Sequence, residues 1–154
     1  MESLNKPKLR TFLTIKDFEK VPAYITKPLS FIQRKFLAKC RLGCLPIRLE
    51  TGRFCRPILA ENERVCQVCI ENGVTDYQYK NEIESEIHLL FNCNRYDYIR
   101  SKWFEKLTLP PDYILLNKYE RLKIVLNDAN NVKFTAQFII EAINIRSKAI
   151  LALE

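Results

Sequence analysis

Glycine is nearly missing from this chain, with three in 154 residues. Folds with many tight turns draw on glycine for left-handed backbone, so its scarcity points away from a multi-stranded sheet and toward helices. Histidine is rarer still: His88 stands alone. No glycine-rich phosphate loop, Ser/His/Asp arrangement or separated pair of carboxylates is visible, so no catalytic residue is assigned and no enzymatic activity is expected. No run approaches the roughly 18–20 apolar residues of a membrane span. The first ten residues, MESLNKPKLR, lack the apolar centre of a secretory signal, and there is no Asn-x-Ser/Thr sequon. An intracellular, membrane-free protein is expected. Its six cysteines then read as reduced thiols rather than three disulfides.

What the chain does have is 47% hydrophobic residues, enough for a core, and a net charge of +7. The charge is uneven. Residues 1–60 hold 13 Lys/Arg against 4 Asp/Glu, residues 61–93 hold 2 against 7, and residues 94–154 hold 10 against 7. A polyanion is drawn to the first part and repelled by the second. The candidate phosphate contacts are Arg34, Lys35, Lys39, Arg41, Arg48, Arg53 and Arg56.

The acidic segment carries the most informative spacing: Cys66-x2-Cys69, eighteen residues, then His88-x4-Cys93. A two-residue gap lets a tight knuckle point both sulfurs at one ion. Three thiolates and an imidazole close a tetrahedral shell around Zn²⁺, which makes this a structural site. Such a shell leaves no position for an activated water. A nucleobase deaminase needs that position, and it also uses His-x-Glu ahead of Pro-Cys-x-x-Cys. Here Glu86 precedes His88, the Cys pair comes first and Val65 stands where the proline would be. Cys40, Cys44 and Cys55 would be the ligands of a second metal site but have no histidine left to complete it, and Cys40 and Cys44, on the apolar arc of their helix, are expected to pack as small hydrophobes.

The expected fold is mainly α, a small helical domain with an inserted Cys-Cys-His-Cys knuckle made of a short hairpin plus a helix. Three segments are read: a basic helical part at 1–60, the knuckle and its helix at 61–100, and C-terminal helices at 101–154, together one compact domain. Ser30 caps a helix that ends at Gly43. Ile32, Phe36, Leu37, Cys40 and Cys44 fall on one arc of it, with Arg34, Lys35, Lys39 and Arg41 on the other. Asn72-Gly73 marks a turn. Asn81 and Glu84 resemble a capping box for a helix carrying His88. Residues five apart on a continuous α-helix diverge by about 140°, so that helix must break near Asn92, through a left-handed asparagine, for Cys93 to reach the metal. Further helices are expected at Tyr96–Leu107, Leu115–Leu126 and Val132–Leu153. The pairs Tyr77/Tyr79 and Tyr96/Tyr98 read equally well as base-stacking or packing residues.

The segments ERVCQVC and IESEIHLLFNCNRYDYIR together resemble the zinc-binding segment that follows the reverse transcriptase domain in non-LTR (LINE-type) retrotransposon polyproteins. PKLRTF (Pro7–Phe12), RLGCLPIRLETGRF (Arg41–Phe54) and KFTAQFIIEAINIR (Lys133–Arg146) are similar to the tails of the same polyproteins. The likeness spans nearly the whole chain and is most specific over Arg41–Arg100. It implies zinc on Cys66, Cys69, His88 and Cys93, and a tail module that helps a reverse transcriptase core hold RNA and DNA. The polymerase's paired aspartates and the preceding endonuclease are absent from these 154 residues. The chain therefore reads as an isolated tail, whether an element fragment, a truncated frame, a derived host gene or a remnant. A protein-interaction adaptor built around the same knuckle is the alternative.

Overall fold

The computed structural model describes residues 9–17, 20–71 and 82–151, and the described part is mainly helical. Its α-helices are α1 (Arg10–Ile15), α2 (Ala23–Thr26), α3 (Phe31–Leu42), α4 (Arg48–Thr51), α5 (Gln67–Glu71), α6 (Asp97–Phe104), α7 (Lys118–Asn127) and α8 (Val132–Leu151). A π-helical turn spans His88–Asn92. The Asn72-Gly73 turn, Tyr77, Tyr79 and Asn81 lie outside the described residues.

Helix α3 starts and stops where its sequence says it should. The Gln33 N–H donates to Ser30 Oγ at 3.2 Å and the Ser30 N–H donates to Gln33 Oε1 at 2.8 Å, a reciprocal capping box. Gly43 at φ 71° ends the helix, and the Cys44 N–H reaches back to the Lys39 carbonyl at 2.8 Å. Only a residue without Cβ takes that dihedral cheaply. Asn117 and Glu120 cap α7 in the same reciprocal way.

Helix α8 is the spine. It packs against α3, α6, α7 and α5, while α1 lies on α3 and α7. Its buried positions Val132, Ala136, Phe138, Ile139, Ala142 and Ile143 recur at helical spacing. Phe138 meets Tyr96 and Phe104 edge-to-face, with ring centroids 6.5 and 5.3 Å apart. Leu37, Cys40, Leu45, Ile47, Leu122 and Leu126 complete the centre. Cys40 is core packing, as expected, with no exposed surface.

The buried arc of α3 is Gln33, Leu37, Cys40 and Arg41, about one residue round from the expected one. Ile32 is 55% exposed, and Arg41 faces inward with 3% exposure. The long C-terminal helices are shorter than expected at their ends, since α6 stops at Phe104 and α7 starts at Lys118.

Candidate metal centre

The knuckle is built by one antiparallel bridge, Val65 to Ile83. The Cys66 N–H donates to the Glu82 carbonyl at 3.0 Å, and the Glu84 N–H donates to the Arg64 carbonyl at 2.9 Å. Cys66 sits just ahead of α5 and Cys69 lies within it, so the two-residue gap turns both sulfurs the same way. This is the expected knuckle, reduced to a bridge followed by a helical turn.

The second half differs from the sequence reading. Helical backbone begins at Glu86, after Glu82–Glu84 has served as the extended side of the bridge. Glu84 is therefore not the third residue of a capping box. The helix does end at Asn92, but no described residue other than Gly43 has a positive φ. The stop comes instead from the π turn. The Cys93 N–H donates to the His88 carbonyl at 2.8 Å, an i→i+5 bond. A turn widened by one residue brings positions five apart back toward one face. That removes the 140° divergence without any left-handed residue.

The four ligand atoms of Cys66, Cys69, His88 and Cys93 lie within 4.8 Å of one another, and all four residues are buried. Cys69 Sγ is 3.5 Å from His88 Nε2 and 3.5 Å from Cys93 Sγ. Ligands about 2.0–2.3 Å from one tetrahedral centre stand about this far apart. The cluster can hold a metal ion.

Acidic and amide groups flank the imidazole. Glu82 Oε2 lies 2.9 Å from His88 Nδ1, leaving Nε2 for the sulfur side. The Asn92 side-chain amide donates to the other Glu82 oxygen. Arg100 donates to the Leu90 and Cys93 carbonyls, both at 2.9 Å, and so satisfies backbone acceptors at the end of the π turn.

Crowding of the sulfurs and the imidazole perturbs both kinds of group. Hydrogen bonding from Cys69 lowers the Cys66 pKa, but Cys93, burial and nearby Glu84 raise it, and the balance lies above the ordinary thiol value. Burial lowers the His88 pKa, yet the three sulfurs around it raise it well above the usual imidazole range. Thiolates packed this closely repel one another until positive charge sits among them.

Behind the knuckle, Glu84 joins it to the spine. Arg146 of α8 donates from Nε to Glu84 Oε1 at 2.7 Å and from Nη2 to Oε2 at 2.9 Å. The Arg48 backbone N–H also donates to Glu84 Oε2, and the Glu84 and Arg146 side chains are both buried. Neither role was read from sequence. Arg146 had a signal: it continues the Ile139, Ala142, Ile143 stripe at helical spacing, a charge on an apolar face. Glu82 and Glu84 also alternate with Ile83 at strand period.

The basic candidates are divided by the fold. Arg41 points inward, donating to the Leu126 carbonyl at 2.8 Å and to Asn127, with its guanidinium 5.2 Å from the Tyr24 ring centroid. It is not part of an exposed basic arc, because the end of α7 needs a donor there. Burial holds its pKa below the ordinary guanidinium value. Arg34 is also engaged, donating to the carbonyls of Tyr24, Ile25, Lys27 and Leu29 around the end of α2. Arg53 pairs with Glu50 at 3.4 Å. Lys35 and Arg56 are exposed, and Lys39 and Arg48 are half-buried. Tyr96 packs in the core with 1% exposure, whereas Tyr98 is 82% exposed. Cys44 and Cys55 are half-buried thiols that approach the Leu42 and Thr51 carbonyls.

Among the described residues no helix is long and apolar enough to cross a membrane. Searches against family models, curated proteins and solved structures find no match to this chain.

Proposed function

We propose that this chain is a zinc-stapled nucleic-acid-binding module, of the kind that forms the tail of non-LTR retrotransposon reverse transcriptases, with no polymerase or endonuclease activity of its own. The observation that carries the reading is the buried Cys66, Cys69, His88 and Cys93 set, all within 4.8 Å, in the segment where the sequence resemblance is most specific. Three soft sulfurs and one imidazole gathered this closely favour Zn²⁺ over harder ions. Zinc here is structural. With four protein ligands it offers no place for substrate, and it pins the Cys66–Cys69 knuckle to the turn that carries His88.

RNA or DNA is held by the basic N-terminal part, and the reverse transcriptase core is the protein partner that the resemblance adds. The zinc cluster is not the contact surface, because three thiolates around a divalent ion leave about −1 of charge among acidic neighbours. Lys35, Lys39, Arg48 and Arg56 are the phosphate contacts that the fold leaves available, and Arg34 and Arg41 hold it together.

A second reading, a protein-interaction adaptor, is favoured by Ile114 and Leu115, which are 79% and 87% exposed side by side. One experiment separates the two. Metal content is measured by native mass spectrometry, and the same sample is titrated with RNA and duplex DNA across a salt series. One zinc per chain is expected, with binding to duplex DNA that falls at a log–log slope of about −0.9 per phosphate contact. The Lys35→Glu, Lys39→Glu, Arg56→Glu triple variant should lose that binding and keep its zinc. No binding at low salt would leave the adaptor reading standing.

A further inference from the structure

Between α4 and the knuckle the chain makes a loop with an unusual combination of bracing and exposure. Its ends are tied by the Leu59 N–H donating to the Gly52 carbonyl at 3.1 Å. Arg64, 9% exposed, threads behind it, donating to the Leu59 carbonyl from Nε and Nη2 and to the Leu49 carbonyl from Nη1. Arg64 lies so close to Gly52 that a Cβ there would meet its Cγ at 2.7 Å and the Arg48 carbonyl at 2.8 Å. The Phe54 N–H donates to the Thr51 carbonyl at 3.0 Å. Held this way, the loop turns Phe54 and Ile58 out to solvent, each 71% exposed, with exposed Arg56 between them. No Asp or Glu occurs at positions 51–60.

We infer that this loop, 52–59, is a contact for single-stranded nucleic acid, with the Phe54 ring stacking on an unpaired base and Arg56 meeting the adjoining phosphate. The inference rests on the nucleic-acid reading above and adds to it the strand state and the residue that senses it. Base faces are open to a protein ring only where the strand is unpaired, and stacking on an aromatic residue is tolerant of sequence. A braced loop presents the ring already placed, so little order has to be created on binding. An apolar patch of this sort could also serve a protein partner. What favours a nucleic acid is the arginine set between the two apolar side chains, the absence of acidic residues along the loop, and the basic surplus of residues 1–60. Glu61 and Glu63 bound its far end, and Glu50 before its near end is paired with Arg53.

The test uses the full chain with zinc bound, a fluorescent 15-nucleotide oligo-U, and a duplex of equal length, read by anisotropy. Phe54→Ala should weaken oligo-U binding by about 5- to 140-fold, the range that loss of one base–aromatic stack covers. Duplex binding should move less than twofold. Phe54→Trp should restore oligo-U binding, and Phe54→Leu, which keeps an apolar side chain without a π face, should not. All three variants replace a solvent-exposed side chain, so circular dichroism and zinc content are expected to match the parent. Phe54→Ala binding oligo-U as tightly as the parent, or Phe54→Leu doing so, would overturn the stacking assignment while the wider reading stood, and the loop would then be a protein contact. A parent chain that binds neither oligo-U nor duplex at low salt would overturn both.

Discussion

Arg41 shows how a single side chain changes meaning once its surroundings are known. By charge alone it belongs with Lys35 and Lys39 as a solvated cation. In the fold it enters the space between α3 and α7 and satisfies the Leu126 carbonyl, 85 residues away. Reversing the charge at the two positions should therefore give opposite results. Arg41→Glu places an unpaired carboxylate against carbonyl oxygens and should cost about 3–5 kcal/mol. Lys35→Glu, on open surface, should stay within about 0.5 kcal/mol. Urea denaturation midpoints decide the matter, and equal midpoints would put Arg41 back on the surface. The cluster of Cys66, Cys69, His88 and Cys93, by contrast, was legible because its spacing is itself the chemistry. The roles of Arg34 and Arg41 were not, since nothing in their local sequence records the helix ends they serve. Those ends belong to α2 and α7, and only tertiary packing brings them near.

Among the elements, the best-read were those whose boundaries are local events. Ser30, Gln33 and Gly43 specify the two ends of α3 with atoms a few residues apart, and the last helix announces itself by its apolar period. The segment 82–93 was misjudged for a matching reason. Three glutamates ahead of an apolar run look like a helix's first turn, but Glu84 is needed elsewhere, by the Arg146 guanidinium and the Arg48 N–H. That demand holds 82–84 extended and delays the helix to Glu86. The π turn that follows was beyond any α-period argument, though the need for some interruption before Cys93 was correct. Glu84→Gln should expose the importance of this tie. It leaves the Arg146 charge buried without its partner, at a cost of about 3–5 kcal/mol. The Glu84→Gln, Arg146→Met double variant should lose less than the sum of the two single variants. Additive losses in thermal denaturation would mean that the pair does not act as a unit.

For the whole molecule, the candidate metal cluster is continuous with the helical core. Cys66, Cys69 and Cys93 share one buried cluster with Leu37, Leu126 and Phe138, but their own placement depends on one bridge, a short helix and a π turn. Removing the metal with a chelator, or changing Cys66→Ser, should therefore lower the melting temperature while far-UV circular dichroism retains most of the helical signal. Amide exchange should quicken first at Cys66, Glu84 and Cys93, whose N–H groups close the knuckle. An unchanged melting temperature after chelation would show that the cluster carries no structural metal. The mainly helical architecture was readable from glycine scarcity and apolar period. The packing of α3 and α6 onto α8 was not, because it joins stretches far apart in the chain.

The tie between Glu84 and Arg146 spans 62 residues, and this distance has a bearing on how the protein is made. Synthesis runs from the N-terminus, so all four metal ligands have left the ribosome once Cys93 has, while the arginine that receives Glu84 is still untranslated. The metal site is complete in composition well before the helix that anchors it exists. In a nascent chain, then, an ion held by the cluster would be captured ahead of closure of the fold, and the Glu84 carboxylate has only the Arg48 N–H and water for partners until the final helix arrives.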